Sequence, residues 1–245
     1  SSSGNADGLN SGCAPCGAGY STTAAGSTSC DACAFGYTGT SADGGISGCA
    51  LCPADSPYSV SGNGEACARL SCDIVDSDGH VTIPSQVTTL GYSNFGSCND
   101  LTSISFEEPS QLKTIESGAF YETGLTSVSF PGSVESIGDG AFSSCNDLTT
   151  ISFEEPSQLK TIERQAFSYT GLTSIQIPNK VTSIGKEAFR RCQNLASLTF
   201  AEGSQLESIG YQAFDSTILT SVELPASAIL VNTRAFANNN ALSTV

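Results

Sequence analysis

The sequence contains no methionine and no tryptophan, and His80 is its single histidine. Only 13% of its residues are charged, and 9 Lys and Arg stand against 24 Asp and Glu, which gives a net charge of −15. This shortage of cations argues against a nucleic-acid partner, because phosphate binding needs clustered Lys and Arg. No apolar run approaches the roughly 20 residues of a membrane-spanning helix, so we expect no direct membrane insertion of this segment.

Catalytic signatures are missing as well. The sequence has no G-x-S-x-G, Walker or H-E-x-x-H motif and no paired His and Cys. One His and scattered carboxylates do not make a pocket, so we expect neither an enzyme nor a bound cofactor. The chain opens with neither Met nor a signal peptide, so we expect it to be a piece of a longer protein. Without an N-x-S/T sequon, any glycan would be O-linked.

Cysteine, by contrast, is abundant. The chain has 11 cysteines, and most of them lie in residues 1–72, where large apolar residues are rare. Such a segment cannot build a sufficient hydrophobic core and needs covalent support. Two arrangements remain open, namely a disulfide ladder formed outside the cell and zinc knuckles built from the C-x2-C pairs. Disulfides are favoured, because zinc knuckles usually bind nucleic acid and Arg69 is the one basic residue of this segment.

The expected pairing joins the second Cys of one C-x2-C unit to the first Cys of the next, since the two cysteines within such a unit rarely pair in a structural module. Cys13 is then left to pair upstream or between molecules, and Cys72 is left to pair with a cysteine of the following domain. The three predicted disulfides are Cys16–Cys30, Cys33–Cys49 and Cys52–Cys67.

A resemblance supports this interpretation. The stretches CAPCGAGYSTTAAGSTSC and CDACAFGYTGTSADGGISGC share a C-x2-C unit, a Gly-Tyr pair and a small polar loop before the next Cys, whereas the third unit lacks the Gly-Tyr pair. Residues 11–72 resemble the cysteine-rich repeats of ephrin-receptor and tumour-necrosis-factor-receptor ectodomains. The resemblance implies an elongated extracellular stalk without an active site.

From Val81 onward the sequence repeats itself. A Leu-x-x-φ-x-φ motif, in which φ is apolar, recurs at alternating steps of 24 and 23 residues, and a Phe, mostly after Ala, recurs at alternating steps of 25 and 22. Both series share a super-repeat of 47 residues made of two unequal coils. The motif begins at Leu101, Leu125, Leu148, Leu172, Leu195, Leu219 and Leu242, and the Phe marks are Phe95, Phe120, Phe142, Phe167, Phe189, Phe214 and Phe236.

A single coil buries too little apolar surface to fold. In LTSISF, Leu101, Ile104 and Phe106 face a core, and the coil closes at Ala119-Phe120, which we expect in a short helical or 3₁₀ turn. Stacked coils bury a continuous column of Leu, Ile and Phe. The sequence therefore predicts a β-rich solenoid in residues 73–245, with about seven coils and a parallel ladder of these strands, after a small disulfide-rich, loop-dominated domain in residues 1–72.

The repeat closely resembles the leucine-rich repeats of the BspA-like class. The resemblance implies a surface protein of a bacterium or protist, associated with adhesion to host or matrix proteins. On this basis we expect a secreted or cell-surface ectodomain that binds an extracellular protein or glycan without catalysis. One full match runs through Val134, Ile137, Gly138, Ala141, Phe142, Cys145, Leu148, Ile151 and Phe153.

The strand segments carry hydroxyl side chains and almost no aromatic or charged residue, which makes them the candidate binding face. Solenoids often bind through their strand faces, although Thr and Ser are also acceptable fillers of an unused strand face. The candidate residues are Thr102, Ser105, Thr126, Ser129, Thr149, Ser152, Thr173, Gln176, Thr199 and Thr220.

Three later cysteines, Cys98, Cys145 and Cys192, recur every 47 residues. They could form a metal or redox ladder, but small buried thiols that fill the core at the coil corner are favoured. In the alternate coils, we expect Gly124, Gly171 and Ile218 near the same position.

The entrance to the array contains three acidic residues, Asp73, Asp76 and Asp78. They are weak calcium candidates, because the full D-x-D-x-D-G loop with a later Glu is absent. A hairpin turn at Asp78-Gly79 is favoured instead, and His80 is expected to be an exposed or capping residue.

Acidic turns recur at Glu107-Glu108 and Glu154-Glu155, with Glu202 in the third copy. A solvated acidic ridge, partly neutralised by Lys113 and Lys160, is favoured over a divalent-cation site.

The sequence ends inside a strand motif at Val245, with no polar cap. A terminal coil without a cap exposes its core and its strand edge, so we expect further coils or capping by another molecule. This leaves an alternative function, in which copies join end to end through the uncapped solenoid and Cys13 as subunits of an extracellular fibre or coat.

Overall fold

The computed structural model describes residues 70–244 in full and, before them, the backbone of six short strands. The chain divides into two units, Ser1–Leu70 and Ser71–Val245, so the division lies two residues before the boundary expected from the cysteines. In the described part of the chain, no helix is long and apolar enough to cross a membrane.

The first unit contains three antiparallel strand pairs. The strands are β1 (Tyr20–Ser21) with β2 (Ala32–Cys33), β3 (Tyr37–Ala42) with β4 (Gly45–Leu51), and β5 (Tyr58–Ser59) with β6 (Cys67–Ala68). The cysteine pairings predicted for residues 13–67 involve side chains outside the described part, and they stay predictions.

The second unit is a parallel β-solenoid of about seven coils, which confirms the predicted fold. It opens with a 3₁₀ turn, Cys72–Ile74. Each of the first six coils then has one long strand, one short strand and a turn around a Phe, which we call the Phe turn. The seventh coil has a short strand and a Phe turn. The long strands are β7 (His80–Ile83), β9 (Ser103–Phe106), β11 (Ser127–Phe130), β13 (Thr150–Phe153), β15 (Ser174–Ile177) and β17 (Ser197–Phe200); the short strands are β8 (Thr89–Leu90), β10 (Thr114–Ile115), β12 (Ser136–Ile137), β14 (Thr161–Ile162), β16 (Ser183–Ile184), β18 (Ser208–Ile209) and β19 (Leu230–Val231).

The short strands form the continuous ladder. All seven pair in chain order in one parallel sheet, whereas the long strands pair only two by two, as β7–β9, β11–β13 and β15–β17. The predicted parallel ladder is therefore continuous in the short strands and interrupted in the long strands. Paired long strands are offset by 23 residues, and the steps of 24 residues between β9 and β11 and between β13 and β15 are unpaired. The unequal coil lengths thus divide the long strands into pairs.

The Phe turns are not helical, in contrast to the prediction. Around Phe189, the residues two before and two after it, Glu187 and Arg191, have φ values of 59° and 58°, which is the left-handed region. The backbone N–H groups of Glu187, Phe189 and Arg191 then donate to carbonyl oxygens of the next coil, at 2.9, 2.7 and 2.8 Å. A helical turn would direct its N–H groups along its own axis, whereas alternating handedness directs them to the neighbouring coil.

Inside the solenoid, the Phe marks form one stacked column. Neighbouring rings from Phe95 to Phe236 have centroids 5.0 to 5.4 Å apart and lie nearly parallel. Phe167 is fully buried between Phe142 and Phe189, and its ring also meets the edge of Phe130. This column and the adjacent Leu and Ile residues form the core that the repeat predicts.

Replacing Phe167 by Ala should lower the free energy of unfolding by about 3–5 kcal/mol, because it removes a fully buried ring and leaves a cavity in the column. The half-buried Phe153 is a matched control, and Phe153→Ala should cost clearly less. Urea unfolding followed by far-UV circular dichroism measures both variants. Equal losses would contradict a special role for the column.

At the entrance of the array, Cys72 is bonded to Cys98, with the Cα atoms 5.4 Å apart. The free thiol predicted for Cys98 is therefore wrong. Both cysteines belong to the second unit, so the bond fastens the 3₁₀ turn to the segment that leads from the first Phe turn into β9.

Removing this bond in Cys72→Ala/Cys98→Ala should destabilise the first coil by about 3 kcal/mol, because a loop of 26 residues gains chain entropy in the unfolded state. Hydrogen exchange of residues 80–103 should accelerate, while exchange of the fifth and sixth coils should not. Unchanged exchange in the first coil would contradict a stabilising role for the bond.

Candidate binding face

Except for β9, whose four residues are all half-buried, the long strands alternate buried and more exposed residues, which creates one polar face. In β11, Val128 and Phe130 are buried while Ser127 and Ser129 are exposed. The structure brings together the predicted strand residues on this side, and we call them the hydroxyl face. They are Ser105, Ser129, Ser152, Gln176 and Thr199, and register pairs Ser129 with Ser152 and Gln176 with Thr199.

The predicted threonines just before the strands form a second exposed column beside this face. Their hydroxyl groups are partly used within the array. The Thr126 hydroxyl donates to the carbonyl oxygen of Thr102 at 3.4 Å, and the Thr149 hydroxyl donates to that of Thr126 at 3.3 Å. On the hydroxyl face, the Ser152 hydroxyl donates to the Ser129 hydroxyl at 3.1 Å. The column comprises Thr102, Thr126, Thr149, Thr173 and Thr220.

His80 belongs to the hydroxyl face, which sequence reasoning missed. The ring is half-buried, with Nδ1 2.8 Å from the Ser103 hydroxyl oxygen and Nε2 3.0 Å from that of Ser105. The Asp76 carboxylate accepts hydrogen bonds from the backbone N–H groups of Asp78 and His80 instead of orienting the ring. The arrangement thus lacks the third group of a nucleophilic triad. His80 occupies the first position of β7, in register with Ser103.

The acidic entrance is a turn closed by Asp76. Gly79 donates its N–H to the Asp76 carbonyl oxygen at 3.0 Å, and Gly79 has a φ of 74°. The following strand β7 pairs in parallel with β9, so this turn does not form the predicted hairpin. Among the residues from 70 to 244, no group of three His, Cys, Asp or Glu side chains is placed to hold a metal ion.

The two lysines expected to neutralise the acidic turns pair with Glu135 instead. Glu135 lies 2.6 Å from Lys160 and 3.8 Å from Lys113. The hydrogen bond and positive charge of Lys160 lower the pKa of the Glu135 carboxyl. Within the turns, the Glu108 and Glu155 carboxylates accept backbone N–H groups two residues later, at 3.2 and 3.1 Å.

Two buried carboxylates near the fifth and sixth Phe turns were not foreseen. Asp215 is 2% exposed and accepts hydrogen bonds from Arg190 at 3.3 Å and from Asn238 at 2.7 Å. Glu187 is nearly as buried and accepts a hydrogen bond from Gln165 at 2.8 Å. Both carboxylates are thus paired within the array, as buried charges in proteins usually are.

The remaining cysteines of the array are buried thiols in contact with threonines. The Cys145 sulfur lies 3.2 Å from the Thr123 hydroxyl oxygen, and Cys192 lies 3.1 Å from that of Thr170. The residues that correspond to cysteine in the alternate coils are therefore threonines, each three residues after its Phe. Gly124, Gly171 and Ile218, which were expected near this position, each follow the threonine directly. Thr217 makes the same contact with Asn239.

Burial raises the pKa of the Cys145 thiol and raises that of Cys192 from its ordinary 9.0 to about 11. Because only the thiolate reacts, iodoacetamide at about pH 8 should leave both residues unmodified in the native protein and modify them in urea. Peptide mass mapping measures the modification. Equal labelling of the native and unfolded protein would contradict this protection.

The raised pKa also has a consequence for stability. The contribution of Cys192 is fully present below pH 9.0 and should be lost as the pH rises through about 11, because the folded state resists ionisation of the thiol. The free energy of unfolding should therefore fall less steeply in Cys192→Ala than in the unmodified chain over this interval. An equal decrease of the free energy of unfolding with pH in both proteins would contradict this contribution of Cys192.

A cleft of about 860 Å³ opens at the far end of the hydroxyl face. One wall is β17, and the other is the segment 220–227. Its lining includes the hydroxyl groups of Ser197, Thr199, Thr220 and Ser221, together with the carboxylate of Glu223.

Stacked coils with inward Leu, Ile and Phe and an outward strand face define a leucine-rich-repeat solenoid. The sequence model of the BspA type leucine rich repeat region matches residues 78–170 and 160–245, with six copies. This covers more than half of the chain, and the chain belongs to that family.

Among solved structures, the chain is similar to a leucine-rich cell surface protein from Faecalibacterium prausnitzii, with 29% identity, a TM-score of 0.45, and coverage of 67% of this chain and 59% of the other. It is similar to the T. pallidum leucine-rich repeat protein TpLRR at 23% identity and a TM-score of 0.45, covering 71% and 69%. It is also similar to the pneumococcal vaccine antigen PcpA, with 23% identity, a TM-score of 0.40, and coverage of 67% of this chain and 55% of the other.

The chain thus spans between half and two thirds of the length of PcpA and of the F. prausnitzii protein. No curated protein matches the sequence.

Proposed function

We propose that this chain is part of a secreted or cell-surface protein whose repeat array recognises an extracellular protein or glycan through the hydroxyl face, without catalysis. The observation that carries the proposal is the chemistry of that face. Across six long strands, the exposed residues are Ser, Thr, Gln and His, with no Asp, Glu, Lys or Arg, in a chain whose net charge is −15.

An uncharged face of this kind suits a polar ligand. Hydroxyl groups both donate and accept hydrogen bonds, so they can match sugar hydroxyls or peptide groups without removing full charges from water, which is costly. The acidic turns lie outside the face and favour partners that are neutral or basic, because like charges oppose association.

The disulfide between Cys72 and Cys98 supports an extracellular location, since structural disulfides persist in oxidising compartments and are rare in the cytosol. Membership of the BspA type family supports a surface role. The end-to-end fibre stays an expectation from the sequence, and sedimentation of the purified chain would separate filaments from monomers.

Ser152→Arg should weaken binding to the hydroxyl face by at least about tenfold, because it places a long cation at the centre of an uncharged surface. Immobilised laminin, collagen and neutral oligosaccharides are suitable probes, with surface plasmon resonance as the measurement.

The matched control is Thr88→Arg, which adds the same charge at an exposed position before the short strand β8. This variant should bind as the unmodified chain does. Equal weakening by both variants would point to a general charge effect, and an unchanged Ser152→Arg would contradict the use of this face.

A further inference from the structure

The cleft lies where the array departs from its own repeat. At the two earlier unpaired steps, a glycine precedes the Leu that leads into the later strand: Gly124 before β11 and Gly171 before β15. At the third unpaired step, between β17 and segment 220–227, the corresponding residue is Ile218. Its side chain is 51% exposed.

The two glycines allow a backbone approach that no other residue permits. A Cβ atom at Gly124 would lie 2.6 Å from the carbonyl oxygen of Asn99, and one at Gly171 would lie 2.5 Å from that of Asn146. Both distances are far below a van der Waals contact. A side chain at the third position, Ile218, therefore excludes the same close packing of the two segments.

The hydrogen bonds change accordingly. At the first two unpaired steps, Thr126 donates its backbone N–H to the Thr102 carbonyl oxygen at 3.2 Å, and Thr173 donates to that of Thr149 at 3.3 Å. At the third step, the backbone N–H of Ile218 instead donates to the Leu195 carbonyl oxygen at 3.1 Å. The segment beyond Ile218 therefore follows a different path, and the cleft opens along it.

Both walls of the cleft present backbone groups that are free to bond. The Ala201 N–H donates to the Ile177 carbonyl oxygen at 2.9 Å, so β17 uses its odd-numbered residues to pair with β15. In a parallel strand the backbone groups alternate between the two edges. The N–H and C=O groups of Leu198 and Phe200 therefore point into the cleft.

The opposite wall has the same property. Val222 donates its N–H to the Thr244 carbonyl oxygen at 3.1 Å, and Ser243 donates to that of Thr220 at 3.0 Å. By the same alternation, the backbone groups of Ser221 and Glu223 point towards the cleft.

From these two free edges, we infer that the cleft binds an extended peptide segment, which adds a strand between β17 and segment 220–227. Main-chain hydrogen bonds to both walls would supply the affinity, as in strand addition at other sheet edges. The cleft volume of about 860 Å³ lies within the common range of ligand sites, about 300–1,000 Å³. The Glu223 carboxylate is the one charged group of the lining, so it selects a peptide with a basic residue. This inference names a ligand class for one end of the hydroxyl face, and it rests on the proposed binding role of the array.

The test uses a positional-scanning library of fluorescent, end-blocked hexapeptides and the full chain, with fluorescence polarisation as the measurement. Hexapeptides with a Lys or Arg should be selected. Ile218→Gly should weaken their binding by at least about tenfold, because it restores the close approach seen at Gly171. The matched variant Ile218→Val keeps a branched side chain, so it should stay within about twofold of the unmodified chain.

Ile218→Gly is expected to fold, because glycine occupies the corresponding position in two other coils, and its urea midpoint verifies this. Backbone N-methylation of a selected hexapeptide should reduce binding by at least about tenfold, since it removes main-chain donors. Glu223→Gln should abolish the preference for a basic residue.

Three results would overturn the inference: no hexapeptide bound up to about 1 mM, equal binding by Ile218→Gly and the unmodified chain, or equal binding of the methylated peptide. Displacement of a selected hexapeptide by neutral oligosaccharides would also overturn it, in favour of a sugar site. Ser152 lies on β13, two coils before β17, so Ser152→Arg should not change hexapeptide binding. If Ser152→Arg loses laminin or collagen binding while the unmodified chain binds no hexapeptide, the inference about the cleft is refuted and the proposed function of the hydroxyl face is not.

Discussion

Backbone hydrogen bonds between successive coils are the interaction on which this array depends. A coil contains no ladder of its own, so its N–H and C=O groups find partners only in the coil before or after it. Two ladders run through the whole array, namely the seven short strands and the Phe turns of alternating handedness. Together they hold each Phe ring about one coil spacing from the next, which makes the stacked column a consequence of the hydrogen bonding.

The interrupted ladder of the long strands accommodates coils of two different lengths. In the second, fourth and sixth coils, the connection from the long to the short strand is two residues longer than in the others. These extra residues lie in the acidic Pro- or Gly-containing turns, which bulge outwards from the column. Because the short strands and Phe turns keep their register, the difference affects only the pairing of the long strands. The hydroxyl face is therefore built from strand pairs separated by looser steps.

The position three residues after each Phe is occupied by different side chains that make equivalent contacts. Where the long strands pair, the segments leading into them are joined by the Cys72–Cys98 disulfide, by Thr123 with Cys145 and by Thr170 with Cys192. Thr217 and Asn239 make the same contact ahead of the bridge between Ser221 and Thr244. Asn239 also donates to the Phe214 carbonyl oxygen at 2.7 Å, as the Cys192 thiol does to that of Phe167 at 3.1 Å. A covalent bond, a thiol and an amide thus serve one structural purpose, which explains the 47-residue period of the cysteines without a metal or redox role.

The sequence by itself determined the coil number, the apolar column and the exposed face, because these follow from periodicity within a coil. Alternation of apolar and polar residues in a strand such as Ser127–Phe130 decides whether each side chain points into the core or towards solvent. This direction does not depend on the neighbouring coil. Only the tertiary structure decided which strands form the continuous ladder, that the Phe turns are left-handed at two positions, and that Lys160 binds Glu135. It also placed His80 on the face and opened the cleft at Ile218. Each of these depends on contacts between residues about one coil apart in the sequence, which the periodicity within a single coil does not specify.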